Sequence, residues 1–500
     1  MKKSNLILIF LIIAINIVYS QQYPVIDTGQ DECYDTLSII ECPQPGQQFY
    51  GQDSQFDGTQ FSFIDNGDET VTDMNTGLIW QKFLFEDKFT FEEAITVADT
   101  FSLNSYTDWR LPSIKELYSL IDFRGVTGID ESDSKPFIDT SYFEFRYGDI
   151  NSGERFIDAQ YVSSTQYTGT TMDGNETVFG VNFADGRIKG YPSDLTPEGY
   201  KLFELRLVRG NTNYGVNDFT DNNDGTITDN STGLMWSKYD NGTGLNWQEA
   251  LEWAEQKNQE KYLGYNDWRL PDAKELQSIV DYTRSPQATN SPAINPVFSV
   301  TEITDEGGNI NYPFYWSGTT HADGDLTNRC IKAAYIAFGE ALGFMEVPPN
   351  SGNYVLMDVH GAGAQRSDPK QGDPDNFPHG FGPQGDVIRI YNFVRLVRNV
   401  DVSKSDESST LQKKEFTLAQ NYPNPFNPVT EISFSIPAAT HVRLKVFNII
   451  GQEVEVLLDK YLPAGEYSLD WNAEEEKSGV YFYRLTTDLY TETRKMILMR

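Results

Sequence analysis

Histidine and cysteine are nearly absent from these 500 residues, with four His (His321, His360, His379, His441) and three Cys (Cys33, Cys42, Cys330). Cysteine-rich zinc sites therefore lack the ligands they need. The spaced motifs G-x-S-x-G, G-x-x-x-x-G-K-[ST] and H-E-x-x-H do not occur, so the familiar nucleophile elbow, phosphate loop and zinc-protease helix are excluded. Positive charge is scarce as well. Lys plus Arg number 39 against 73 Asp plus Glu, a net charge of -34, and a field of that sign repels phosphate backbones and anionic lipid. Nucleic acid is not expected as a partner. Apart from residues 6–18 there is no long apolar run, so no transmembrane helix is expected in the mature chain.

What is present argues for packed domains. Apolar residues make up 39% and aromatics 13% of the chain, too rich for disorder, and the length allows about three domains. Lys2 and Lys3, the apolar run, small Ser20 and then Gln21 follow the order of a secretory signal over residues 1–20. The run is interrupted by Asn16 and is shorter than the roughly 20 residues of a membrane anchor. Export places Cys33 and Cys42 in an oxidising setting where they are predicted to close a small loop, leaving Cys330 without a partner.

The middle of the chain repeats itself. FIDNGDETVTDMNTGLIWQK from Phe63 returns as FTDNNDGTITDNSTGLMWSK from Phe219, and YTDWRLPSIKELYSLIDF from Tyr106 returns as YNDWRLPDAKELQSIVDY from Tyr265. YVSSTQYTG at Tyr161 corresponds to YWSGTTHAD at Tyr315, and LRLVR at Leu205 to VRLVR at Val394. Four matches in one order mark a duplication. Each copy predicts a β-hairpin turning at Asn66-Gly67 or Asp224-Gly225. Capping boxes follow at Thr90/Glu93 and Ser113/Glu116, and at Asn246/Glu249 and Asp272/Glu275, each ahead of an amphipathic helix. Short strands close each copy, the last able to pair with the first, which predicts a compact α+β domain.

The Asp-Trp-Arg-Leu-Pro elements at 108–112 and 267–271, the T-G-L-x-W starts and the R-L-V-R finishes resemble the Lcl C-terminal-type domain. That resemblance implies a C-type-lectin-like fold, similar to formylglycine-generating enzymes, and a role like that of a bacterial surface adhesin that binds sulfated polysaccharide. Leu207 and Leu396 stand where many members carry Cys, and the overall acidity argues against a sulfated ligand. Formylglycine-type oxidation needs active-site Cys, and the sulfoxide-forming relatives need a His cluster. The first copy has neither.

Residues 401–415 are polar and aperiodic, a predicted linker. After it come short alternating runs separated by Pro and Gly turns, the pattern of a small immunoglobulin-like β-sandwich. The segments N-Y-P-N-P-F-N-P at 421–428, V-F-N-I-I-G-Q at 446–452 and S-G-V-Y at 478–481 resemble the type A sorting domain of the bacterial type IX secretion system. That resemblance implies passage to the outer-membrane surface or beyond, with residues 416–500 addressing the secretion machinery. The organisation read from sequence is thus 1–20 signal, 21–56 N-terminal extension, 57–211 first copy, 212–400 second copy, 401–415 linker and 416–500 sorting domain.

Two candidate sites stand out. A stretch unique to the second copy, residues 348–386, is rich in Gly, Pro and Asp, and loops on a rigid scaffold are where recognition concentrates. His360, Gln365, Arg366, Asp368, Lys370, Asp373, Asp375 and His379 supply donors and acceptors for sugar hydroxyls, with Trp316 as a stacking platform. The same groups equally suit an irregular loop that satisfies its own backbone. The acidic hairpins, with Asp65, Asp73, Asp221, Asp224 and Asp229, invite calcium, although the spacing disagrees with an EF-hand and favours solvated turn carboxylates. Trp80, Trp109, Trp236 and Trp268, repeated at equal positions, read as core, and Arg110 and Arg269 as structural ties. Repetition without catalytic residues points to a secreted surface binding protein for extracellular polysaccharide or glycan. Its two copies would raise apparent affinity through effective concentration. The alternatives are a secreted carbohydrate-active or oxidative enzyme using the second-copy loop, and a structural surface protein without a ligand.

Overall fold

The computed structural model describes residues 23–196, 199–324, 329–400, 417–436, 440–462, 465–474, 476–487 and 490–499. The expected signal and the linker lie outside the described residues.

Each copy opens with the predicted hairpin. In the first, Phe63–Asp65 pairs with Thr70–Asp73, and in the second Phe219–Asp221 pairs with Thr226–Asp229. The turns are built alike: Asn66 Nδ2 donates to Thr70 Oγ1 at 2.8 Å, as Asn222 Nδ2 does to Thr226 Oγ1. Gly67 and Gly225 take the positive φ (72° and 93°) that these turns require. A third strand, Leu78–Gln81 or Leu234–Ser237, then pairs with the closing strand Val208–Gly210 or Val397–Asn399, so both copies share one four-stranded order. The four expected capping boxes are all present, at the starts of helices Phe91–Thr100, Ile114–Ser119, Trp247–Gln259 and Ala273–Ser278.

The repeated arginines tie each copy together, one pair through carboxylates and the other through backbone carbonyls. Arg110 pairs with Glu116 and Arg269 with Glu275, both at 2.5 Å, which locks each Asp-Trp-Arg-Leu-Pro element onto the helix it precedes. Arg206 is fully buried and donates to the carbonyls of Gln81, Lys82 and Glu144; Arg395 does the same to Ser237, Lys238 and Ser299. Trp80, Trp109, Trp236 and Trp268 are core, as their equal positions predict.

The copies are not separate beads. The late strands of the first, Gln160–Gln166, Thr177–Asn182 and Arg187–Pro192, join those of the second, Gln365–Pro369, Lys332–Ala337 and Phe314–His321, in one six-stranded sheet. The seam is the antiparallel pairing of Gln365 with Ile188. Because the strand order reads the same from either edge, the two halves are arranged about an approximate twofold axis. Leu117, Ile121 and Val181 of one copy and Leu276, Val280 and Ile336 of the other belong to a single buried cluster. Burying each such side chain stabilises by about 1.5–3 kcal/mol.

The lead-in of each copy crosses to its neighbour. Lys115 Nζ donates to Gly215 O and Ser278 O (3.2 and 2.6 Å), and the equivalent Lys274 Nζ donates to Asp27 O and Ser119 O (2.9 and 3.0 Å). Tyr23 and Tyr214 meet near this axis with ring centroids 4.8 Å apart. The N-terminal extension is therefore built in, and the Cys33–Cys42 disulfide forms as expected. Cys330 is free and buried.

Past residue 416 the chain forms a sandwich of a three-stranded sheet (Thr417–Leu418, Val429–Ile436, Gly465–Asn472) on a four-stranded one (Glu453–Leu462, Thr440–Asn448, Gly479–Thr486, Thr491–Leu498). Alternating residues such as Ile432, Phe434, Leu444, Val446, Tyr483 and Leu485 fill the space between the sheets.

Candidate functional site

The seam between the copies carries an unusual concentration of charge. On the strand Arg187–Pro192, Ile188 enters the shared core while Arg187 and Lys189, its neighbours on either side, leave it, as the two-residue period of a strand requires. Together with Arg155, Lys332 and Arg366 they line a cavity of about 470 Å³, within the range of saccharide and cofactor pockets. Three acids answer these five cations: Asp185, Asp323 and Asp386. The cavity is net positive inside a chain of net charge -34.

Ion pairs cross the seam. Arg187 of the first copy meets Asp323 of the second at 2.5 Å, and Lys332 holds the same carboxylate at 2.7 Å. Lys189 reaches Asp185 at 2.5 Å. Arg366 pairs with Asp386, whose other oxygen lies 3.0 Å from His360 Nε2. Against the upward push of burial, Arg187 and Lys332 hold Asp323, and Arg366 and His360 hold Asp386, well below the usual carboxylate range. Burial, reinforced by Arg366, pulls His360 down to about 4, so it is neutral at pH 7. Burial lowers Lys189 to about 8 with Asp185 opposing, which leaves it mostly protonated at neutral pH.

Several buried donors here are unspent. Arg366 Nε and Nη1 and Tyr191 Oη have no hydrogen-bond partner among the described residues, and His360 Nδ1 is an acceptor without one, since Nε2 carries the proton that faces Asp386. Leaving such groups unpaired costs about 1–3 kcal/mol each, and more when charged. At the cavity's rim stands Phe381, 56% exposed and 4.9 Å from Lys332 Nζ, an apolar face beside a cation.

With this geometry in view, the comparisons decide the family. A family model described as the Lcl C-terminal domain matches residues 69–209 and 225–358. The chain belongs to the Lcl C-terminal domain family. A second model, the secretion system C-terminal sorting domain, matches residues 420–499, so the sandwich is a type IX sorting tail, and the protein is secreted to the outer-membrane surface or the extracellular space. No curated protein matches the chain. The second Lcl C-terminal domain match ends at Asp358, ahead of His360, Arg366, Phe381 and Asp386.

Of the residues singled out from sequence, only His360 and Arg366 line the cavity. Trp316 is fully buried, with Nε1 donating to Leu245 O at 2.9 Å, so it is core and no stacking platform; burial on the sheet overrides its place at a strand edge. Residues 348–386 are not one loop. A hairpin insertion, Leu342–Glu346 with Tyr354–Asp358, is followed by the strand Gln365–Pro369, the second copy's counterpart of Arg187–Pro192.

Gln365 and Asp368 are consequently buried strand residues, and Asp368 accepts from Arg389 N, Ile390 N and Asn392 Nδ2. Lys370 is buried over the Trp247 ring at 4.2 Å and donates to Asp35 O, pinning the N-terminal extension. Asp373 accepts from Asp375 N in an exposed turn, and exposed His379 stacks on Tyr354 at 3.9 Å.

The hairpin carboxylates are used locally. Asp65 pairs with Lys82 and Asp221 with Lys238; Asp224 accepts from Thr226, and buried Asp73 and Asp229 accept from the amides of their own turns. No group of three or more His, Cys, Asp or Glu side chains that could hold a metal occurs among the described residues.

Sequence reasoning missed Arg155, Asp185, Arg187, Lys189, Asp323, Lys332 and Asp386. The alternation Arg187-Ile188-Lys189-Gly190-Tyr191 was visible, but a charged strand face reads as a solvated one until a second copy is seen to cover it.

Proposed function

We propose that this protein is a surface-displayed, adhesin-like binder of extracellular polysaccharide, and that it seats an acidic sugar in the cavity between its two copies. The observation that carries this reading is Arg366. Its guanidinium pairs with Asp386 through Nη2, while its buried Nε and Nη1, beside Lys189 and Arg187, have no partner among the described residues. A uronate carboxylate or a sulfate ester supplies charged oxygen acceptors for these nitrogens. Phe381 offers a ring face to the adjoining sugar. Local charge outweighs net charge here, because a site walled by protein feels its nearest cations more strongly than screened surface acids.

In this reading the duplication builds one cavity from two halves rather than two independent sites. The test is retention of uronate-containing, sulfated and neutral oligosaccharides on an array, followed by calorimetry. Arg366→Gln is expected to weaken acidic-sugar binding about 10- to 100-fold, the equivalent of one charge-assisted hydrogen bond. Retention of neutral sugars alone, or an unchanged affinity in Arg366→Gln, would refute the site. Turnover of a retained sugar would favour the hydrolase alternative.

A further inference from the structure

The two copies differ in one groove. In the second, residues 49–56 of the N-terminal extension lie against the helix Trp247–Gln259: Phe49 stacks on Trp247 at 6.4 Å, and Gly51 lies on Leu251. Asp53 Oδ2 accepts from Thr319 Oγ1 at 2.6 Å, its backbone nitrogen rests on Gly318, and the Phe56 ring lies 5.4 Å from the Arg269 guanidinium. This plug leaves Leu251 only 1% exposed and a residual cavity of about 330 Å³.

In the first copy the same walls are bare. Ile95, Ala98 and Arg110, equivalent to Leu251, Ala254 and Arg269, line an open groove of about 610 Å³, in which Ile95 is 40% exposed. The side chain of Arg110 is 31% exposed, against 11% for Arg269. Thr165 stands for Thr319: its Oγ1 accepts from Ile114 N at 3.0 Å, as that of Thr319 does from Ala273 N, and it keeps a proton to donate.

The cause of the asymmetry is in the chain path. The lead-in to the first copy makes a detour over residues 28–62, which reaches the second copy, whereas the lead-in to the second passes from Asp218 straight into Phe219. There are two grooves and one plug, which fills the second.

We infer that the open groove of the first copy docks an extended peptide segment of a partner protein, carrying a carboxylate and, three residues on, an aromatic ring, the chemistry of Asp53 and Phe56. Charge favours this occupant more in the first copy than in the second. Ser113 replaces Asp272, a buried carboxylate that repels Asp53, and Arg110 retains exposed guanidinium surface for the ring. Ser164 in place of Gly318 holds the incoming backbone a few tenths of an ångström further out.

The test titrates a synthetic peptide of residues 44–58 into the full chain by calorimetry. Binding at one equivalent is expected, weakened at least 10-fold by Ile95→Glu in the protein and likewise by Asp53→Asn or Phe56→Ala in the peptide. Circular dichroism of Ile95→Glu checks that this exposed position leaves the fold intact. Absence of heat, or binding indifferent to Ile95→Glu, overturns the assignment, since exchange with the second-copy plug would ignore that residue. Concentration-dependent dimerisation abolished by Ile95→Glu would also overturn it, because the occupant would then be a second copy of this chain.

Discussion

Asp358 is a buried carboxylate at the end of the inserted hairpin, and it offers a quantitative check on how the copies are joined. Its oxygens accept from Tyr167 Oη of the first copy at 2.9 Å and from Gly361 N at 2.8 Å, and its carbonyl accepts from Met172 N. Burial, with Glu340 adding to it, raises its pKa from 3.8 to about 7. The folded state therefore binds a proton that the unfolded chain has already released, so stability declines as pH rises from about 4 to about 7 and is flat above.

Three pKa units at about 1.4 kcal/mol each put the decline at roughly 4 kcal/mol. In Asp358→Asn that slope is absent, while the Tyr167 hydroxyl loses its acceptor at every pH, a constant cost of about 1–3 kcal/mol. Urea unfolding at pH 4 to 8 reads the effect as a difference between the two proteins, in which other titrations cancel. Seven of the eight tryptophans lie between Trp80 and Trp316, so their fluorescence follows the tandem copies and Trp471 the sandwich. The wild type should lose roughly 4 kcal/mol relative to Asp358→Asn across this range. A flat difference, or one that rises with pH, would refute the argument that Asp358 is desolvated at a closed seam.

Two further predictions concern stability. Trp316→Ala should cost about 3–5 kcal/mol, the range for deleting a buried aromatic, read as a lowered urea midpoint; a sugar platform at the surface would leave that midpoint unchanged. Replacing Cys33 and Cys42 together by Ser opens a loop of nine-residue separation and should cost roughly 2–3 kcal/mol by chain entropy. Hydrogen exchange should then rise in residues 33–56 while the sorting domain stays protected.

Local features were legible in the sequence because they rest on neighbours a few positions apart. The four capping boxes, the Asn-Gly and Asp-Gly hairpins, the alternating strands of the sandwich and the Cys33–Cys42 bridge all follow from such spacing. The candidate site was legible only at His360 and Arg366, since donors in a Gly- and Pro-rich stretch say nothing of which way a strand faces. Trp316 misled because an aromatic in a strand is equally consistent with either face of the sheet.

By itself, the sequence determined that there are two like α+β copies and a β-sandwich bearing a sorting signal, since duplication and turn chemistry are written in order along the chain. Only the tertiary structure decided that Ile188 pairs with Gln365, fusing the copies about an axis and gathering Arg187, Lys189 and Arg366 into one cavity. That pairing joins residues far apart in the chain, and its stability comes from a core shared by both halves, which no window of sequence contains.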